Sequence, residues 1–238
     1  ANYTANTITK VAPDGQTTAS WAQTGTGPFG IAIDASGNVY TANYDANTIT
    51  KVAPDGTTTA SWAATDTGPR AIAFDASGNV YTANWGAHSI TKVTSGGTAT
   101  ASWATTGARP EAIAIDASGN VYTAHQGSST ITKVAPDGTA TASWAATGAG
   151  PRAIAIDASG NVYTANYTAN AITKVAPDGT TTTSWAQTGA RPLAIAIDAS
   201  GNVYTANYTA STITKVAPDG TTTRSWATTG APPAGIAI

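Results

Sequence analysis

Apolar and polar residues alternate along this chain in short runs rich in Val, Ile, Thr, Tyr and Trp, each closed by a cluster of Pro, Asp, Ser, Gly or Asn. A period of two over so few residues is the mark of a half-buried strand, and no stretch carries the spacing of an amphipathic helix. Within one stretch the pattern predicts four strands: Ile31–Ile33 (A), Asn38–Asn43 (B), Thr48–Ala53 (C) and Thr57–Ala63 (D). The breaks between them have turn chemistry. In Ala53-Pro54-Asp55-Gly56 the proline pre-sets φ near −65° and the glycine follows where a left-handed residue is wanted. Asp34-Ala35-Ser36-Gly37-Asn38 makes a second tight turn in the same way.

The four-strand pattern then repeats. An alanine followed seven residues later by Ile-Thr recurs at Ala1, Ala42, Ala83, Ala124, Ala165 and Ala206, always 41 residues apart. A period near 40 leaves helical solenoids or propeller blades, and proline and glycine at this density exclude the helices. The expected fold is all-β, a six-bladed propeller in one domain over residues 1–238, with repeats 1–41, 42–82, 83–123, 124–164, 165–205 and an incomplete 206–238. Strand A, short and alanine-rich, is expected to line the axis. Strand D brings Trp21, Trp62, Trp103, Trp144, Trp185 and Trp226, one per unit, expected to fill the gaps between blades. The chain opens at the end of a strand B and finishes at the end of a strand A. The ring is therefore expected to close by joining both terminal segments in one shared blade, although that blade lacks the eight residues Asp-Ala-Ser-Gly-Asn-Val-Tyr-Thr. Ala1 stands where a methionine would, as in a processed or trimmed chain.

Composition narrows the chemistry. A net charge of −2 offers no electrostatic footprint for nucleic acid, and no apolar run is long enough to enter a membrane as a helix. Cysteine is absent, which removes disulfides, thiolate nucleophiles and thiolate metal sites. No nucleophile elbow is present, and the isolated turn aspartates make no metal cage, so no cofactor, metal or catalytic group is expected. A monomer is expected, with an extracellular or cell-surface setting favoured.

The segment Gly150–Gly179, with its Pro-x-x-Ile-Ala-Ile-Asp-x-x-Gly-Asn-Val-Tyr pattern, resembles an NHL-type propeller blade. It is similar too to repeats of virginiamycin B lyase-like propellers and to the YVTN repeat of surface-layer proteins, and the likeness extends over the whole chain. The resemblance implies a ligand face formed by the B–C and D–A loops. It also implies, for the lyase-like enzymes, histidine and acidic residues acting with magnesium on that face. His125 and Glu111 are the positions to compare, but no second histidine or carboxylate stands at a matching place.

Comparing the units with one another points to the same face. The Asp-Ala-Ser-Gly-Asn and Ala-Pro-Asp-Gly turns are nearly constant, whereas the B–C and D–A loops vary. Six lysines and ten turn aspartates belong to the repeat; five arginines, Asp45, Asp66 and Glu111 do not. The variable face is thus mildly positive and aromatic. Its candidate ligand-binding residues are Phe29, Tyr44, Arg70, Trp85, Arg109, Glu111, His125, Arg152, Tyr167, Arg191 and Tyr208. Glu111 occupies the position of Arg70 and Arg152 in neighbouring units, an arrangement suited to an ion-pair cluster or to holding a carboxylate or phosphate. His125 replaces Asn43, Asn84, Asn166 and Asn207, which are expected to cap the B–C turn by bonding its backbone. The favoured reading is a non-enzymatic binding or scaffold module for a protein, glycan or small anion. The alternatives are a metal-dependent lyase or hydrolase, and a symmetrised or recently amplified propeller with no selected ligand.

Overall fold

The computed structural model describes residues 1–238, and its regular elements are all strands. The chain falls into two compact units, Ala1–Pro110 and Glu111–Ile238. In the first, β1 (Thr7–Val11) and β2 (Thr17–Gln23) form a two-stranded sheet. A four-stranded sheet follows, of β3 (Pro28–Ile33), β4 (Val39–Asn43), β5 (Thr48–Val52) and β6 (Thr58–Ala64). The next holds β7 (Pro69–Phe74), β8 (Val80–Asn84), β9 (Ser89–Val93) and β10 (Ala99–Thr105). The second unit has three four-stranded sheets. They are β11 (Pro110–Ile115), β12 (Val121–His125), β13 (Thr130–Val134), β14 (Ala140–Ala146); β15 (Pro151–Ile156), β16 (Val162–Asn166), β17 (Ala171–Val175), β18 (Thr181–Gln187); and β19 (Pro192–Ile197), β20 (Val203–Asn207), β21 (Thr212–Val216), β22 (Thr222–Thr228). Every sheet is an antiparallel meander in chain order, so the fold is the six-bladed β-propeller expected from the repeat.

Strand A is longer than its apolar core suggests. It starts at the proline, where Pro28 pairs with Asn43 across a register shift before Gly30. Strand D carries a bulge at Ser61, whose φ of 51° breaks the register between Ile49 and Lys51. The pairing of B with C is regular: Val39, Tyr40, Thr41, Ala42 and Asn43 face Val52, Lys51, Thr50, Ile49 and Thr48.

Blades pack through B and C onto the next blade within each unit. Tyr40, Ala42, Ile49 and Ala63 meet Ile72, Val80 and Val93. Tyr122, Ala124, Ile131 and Ala145 do the same with Ile154, Val162 and Val175. Burying one such isoleucine or valine contributes about 1.5–3 kcal/mol. The tryptophans join this core from its rim. Trp62 is half-buried, stacked edge-on against Tyr40 at 5.2 Å, and its indole Nε1 lies beside Gly97 of the following blade. Trp226 is 53% exposed.

Asn43 corrects one expectation. Its side chain does not cap a backbone turn but links strands B and C: Nδ2 donates to Thr48 Oγ1 (3.1 Å) and Thr50 Oγ1 (2.9 Å), and Oδ1 accepts from Thr41 Oγ1 (2.9 Å). Thr41 and Thr50 are wholly buried and Thr48 is half-buried, so satisfying their hydroxyls is what lets a polar ladder sit inside the blade. A second difference concerns closure. β1 and β2 stand as a two-stranded sheet and Gly235–Ile238 forms no strand, so the shared closing blade is not assembled as a sheet. The physical reason is the missing strand B, without which an A-type segment has no partner to pair with.

The constant turn sets the acid limit of the fold. Burial pushes the carboxyl of Asp157 up. The donors around it outweigh that effect: the Asn161 side chain and N–H, the Tyr163 hydroxyl and the Ser159 N–H hold it below its ordinary value. Asp34, Asp75, Asp116 and Asp198 are lowered by equivalent donors. A carboxylate depressed in the folded state contributes stability that is present above its unfolded value and lost as pH falls through the folded one. Thermal midpoints should therefore be flat from neutral pH down to about 5 and fall below about 4, as these carboxylates take up protons. Replacing Asp157 with Asn should shallow that fall.

Candidate functional site

The two variable loops are physically joined. Tyr44 N–H donates to Gly27 O (2.7 Å) and Ala46 N–H to Thr26 O (3.2 Å), which ties the B–C loop of one blade to the D–A loop before it. Trp85 N–H with Gly68 O (2.8 Å) and Tyr167 N–H with Gly150 O (2.9 Å) repeat the bond. A further tie comes from the residue ending the B–C turn, held at positive φ. Asn47 Oδ1 accepts from Gly68 N–H (2.8 Å), Asn170 Oδ1 from Arg191 N–H (2.7 Å) and His88 Nδ1 from Arg109 N–H (3.0 Å). Both loops therefore present their side chains on one face, held by backbone that the repeat itself supplies.

In the first unit this face carries an aromatic cluster. Tyr3, Phe29, Tyr44, Arg70 and Trp85 line an opening of about 230 Å³. The Arg70 guanidinium lies 4.4 Å above the Phe29 ring and 5.7 Å from Trp85. Phe29 contacts Tyr3 edge-on (6.2 Å) and Tyr44 at a tilt (6.4 Å), while Tyr44 leans on Trp85 (6.3 Å). The Arg109 guanidinium also lies over Trp85, at 5.0 Å. Tyr3 donates its hydroxyl to Asp45 Oδ2 (3.0 Å), a bond that raises the phenol above its ordinary value. Phe29 is 48% exposed, so the cluster opens to solvent rather than closing as a core.

In the second unit the same positions make a polar cluster. Arg152 Nη1 lies 3.3 Å from Glu111 Oε1. With the Gln126 amide turned to suit its neighbours, its nitrogen donates to Glu111 (2.8 Å) and its oxygen accepts from Arg152 (2.9 Å). The guanidinium groups of Arg152 (5.2 Å) and Arg191 (5.4 Å) both lie over the Tyr167 ring. Tyr208 is exposed on its own loop, its N–H bonded to Arg191 O (2.9 Å).

Tyr3 and Gln126 join these clusters although neither stood among the candidates. The signal was available, since both occupy the repeat position of Tyr44, Trp85, Tyr167 and Tyr208. His125 is a correction in the other direction. It is 0% exposed, with Nε2 at 3.1 Å from Thr123 Oγ1 and 3.0 Å from Thr132 Oγ1. It fills the asparagine slot between strands B and C and is sealed from any ligand.

Arg109 and Arg191 stand out by their backbone. Both take φ near +58°, at the position where other units have Gly27, Gly68 and Gly150. A non-glycine residue there costs about 1 kcal/mol. Arg191→Gly should therefore raise stability by about 0.5–1 kcal/mol in denaturant titration. A loss of stability would mean that the stacking on Tyr167 outweighs the strain.

The magnesium chemistry implied by the lyase-like resemblance can be tested against these donors. No three His, Asp or Glu residues stand together. The one histidine on strand B has Nε2 among two buried threonines, and Glu111 is engaged by Arg152 and Gln126. Such a set does not fit a divalent cation, which takes several oxygen ligands at once. A larger opening of about 380 Å³ lies at the constant turns, lined by Asp116, Asp157 and Lys133. There Asp116 is already occupied by Ser118 N–H, Asn120 N–H and Nδ2, and the Tyr122 hydroxyl.

The Virginiamycin B lyase family model matches residues 1–238, and the chain belongs to that family. Among solved structures it is similar to virginiamycin B lyase from Staphylococcus aureus, at 17% identity and a TM-score of 0.70 over 82% of this chain and 68% of that one. A streptogramin B lyase aligns at 16% identity and 0.72 over 86% and 70%. A gluconolactonase from Xanthomonas campestris aligns at 16% and 0.67 over 87% and 77%. At such identities these likenesses carry the propeller fold. Against curated protein sequences the chain has no match.

Proposed function

We propose that this member of the virginiamycin B lyase family is a binding module whose variable face takes a small ligand joining an anionic group to a flat apolar body. The observation that carries the reading is the Arg70 guanidinium, held over Phe29 and beside Trp85 at the mouth of an aromatic opening. A guanidinium offers paired donors to a carboxylate or phosphate, and exposed rings offer flat faces to stack on. Arg109 adds positive charge at the edge of the same opening. A pair of aromatic ligands differing only in carboxylate versus carboxamide tests this directly: the acid should bind and the amide should bind far more weakly.

The second reading, a lyase or hydrolase, draws on family membership and on neighbours described as lyases and a gluconolactonase. The residues it would use are the ones least disposed to act, since His125 is sealed between strands and Glu111 is 7% exposed and ion-paired. Opening of a cyclic depsipeptide or a lactone that depends on added magnesium and is lost in Glu111→Gln would overturn the binding-module reading.

A further inference from the structure

The ties between the B–C and D–A loops differ in one blade by the atom that accepts. Asn47 and Asn170 accept through an amide oxygen and Ser129 through its hydroxyl, from the N–H groups of Gly68, Arg191 and Gly150. In the blade of β7–β10 the acceptor is a ring nitrogen, His88 Nδ1, 3.0 Å from the main-chain nitrogen of Arg109. A main-chain N–H only donates, so Nδ1 carries a lone pair and the proton of the neutral ring sits on Nε2. The amide oxygens keep their lone pairs across the ordinary pH range. An imidazolium holds a proton on each nitrogen and accepts nothing.

The backbone beneath the ring is fixed at both ends. His88 holds φ at 57°, its N–H donates to Asn84 O (2.9 Å) and its carbonyl accepts from Thr106 N–H (2.9 Å). Arg109 is also left-handed, at φ 58°, a conformation that a side-chain-bearing residue keeps only when its surroundings hold it. Its guanidinium lies 5.0 Å over Trp85, which lines the Arg70 opening. Within this unit the charged groups on the segments about His88 are Arg109, Arg70 and Asp66. Arg70 stands 5.7 Å over Trp85, and Asp66 Oδ2 already accepts from Ser89 Oγ and from the Ser102 N–H and hydroxyl. The exposed ring is open to protons from solvent, and Arg109 repels the charge that a proton brings.

We infer that His88 is a pH-sensitive latch on the Arg70 opening: the neutral ring holds Arg109 over Trp85, and the protonated ring lets it go. Protonation frees the Arg109 N–H, the loop after β10 relaxes from its left-handed geometry, and the guanidinium leaves the indole. Imidazole titrates between about pH 5 and 8, so the latch is shut above that window and open below it. The shut state puts a positive edge on the opening, and acidification removes it. The effect on ligand rests on the anion-binding role proposed above; the latch itself does not.

The test follows ¹⁵N-labelled full chain by NMR without ligand, as wild type and as His88→Asn, from about pH 8 to about pH 5. The neutral ring is expected as the Nε2–H tautomer. The Arg109 amide should shift and exchange faster with the same midpoint as the ring, and the Trp85 indole signal should follow. H88N restores the acceptor that Asn47 and Asn170 supply at φ 55° and 54°, so the chain folds and its Arg109 amide stays unmoved over the whole range. A neutral ring protonated on Nδ1, an Arg109 amide indifferent to the titration of His88, or the same movement in H88N overturns the proposal. 2-Naphthoate then reads the consequence: its affinity should be at least about threefold weaker at about pH 5.5 than at about pH 7.5 in the wild type and unchanged in H88N. An equal response in both chains overturns the link to the opening, whereas absence of binding at every pH contradicts the anion site and leaves the latch standing on its amide.

Discussion

Tyr163→Ala should lower the unfolding free energy by about 3–5 kcal/mol, the range for emptying a large buried aromatic site. Tyr163 is 2% exposed in the core of the second unit, packed with Ile172, Ala186, Val203 and Val216. Its ring meets Trp185 edge-on at 5.2 Å, and its hydroxyl donates to Asp157 Oδ2 at 3.0 Å. Alanine would therefore leave a cavity, a tryptophan without its stacking partner and a turn carboxylate short of one donor. The tryptophans grade below this. Trp185→Ala, half-buried, should cost about 2–3 kcal/mol, whereas Trp226→Ala, 53% exposed at the same repeat position, should cost under about 1 kcal/mol. Urea unfolding of the three variants checks the order. Equal losses at Trp185 and Trp226 would mean that sequence position, rather than burial, sets the contribution.

The fold was legible in the sequence because the repeat states the same strand grammar six times. Proline and glycine fix the turns, and β-branched residues fill the strands between them. What the repeat could not state was local pairing. The bulge at Ser61 rests on a positive φ in a residue type with no strong preference for it. The asparagine of strand B reads as a turn cap, because asparagine usually serves that way. It becomes a strand link only once the pairing puts Thr41, Thr48 and Thr50 around it. His125 is legible as an exception but not as a buried one, since exposure depends on the threonines that enclose it.

The candidate site was half legible. Variation among units marked the B–C and D–A loops, and Tyr44–Gly27 pairing puts both on one face. The grouping of side chains was not available from the repeat. Phe29, Tyr44 and Trp85 assemble around Arg70 because two repeat positions vary between units, one holding Phe29, Arg70 and Glu111 and the other Tyr44, Trp85 and Gln126. Glu111 and Arg152 meet as the charge pattern implies, with Gln126 completing the pair from the variable B–C loop.

Arg70→Gln should weaken an anionic aromatic ligand by about 10–100-fold and cost about 1 kcal/mol of stability, because a charge-assisted hydrogen bond contributes about 1.5–3 kcal/mol and the stacking of the half-buried guanidinium on Phe29 and Trp85 is lost. Phe29→Ala should weaken the same ligand less, by the loss of one stacking face. The change at Arg70 acts on the charge, the change at Phe29 on the flat body, and their effects should be separable with the acid and amide pair.

The most direct measurement is a calorimetric titration of 2-naphthoate and 2-naphthamide into the wild-type chain and Arg70→Gln. The account predicts saturable binding of the naphthoate to the wild type, binding of the amide weaker by about tenfold or more, and near-equal weak binding of both to the variant. Naphthoate that binds the variant as tightly as the wild type, or that fails to bind the wild type at all, would contradict it.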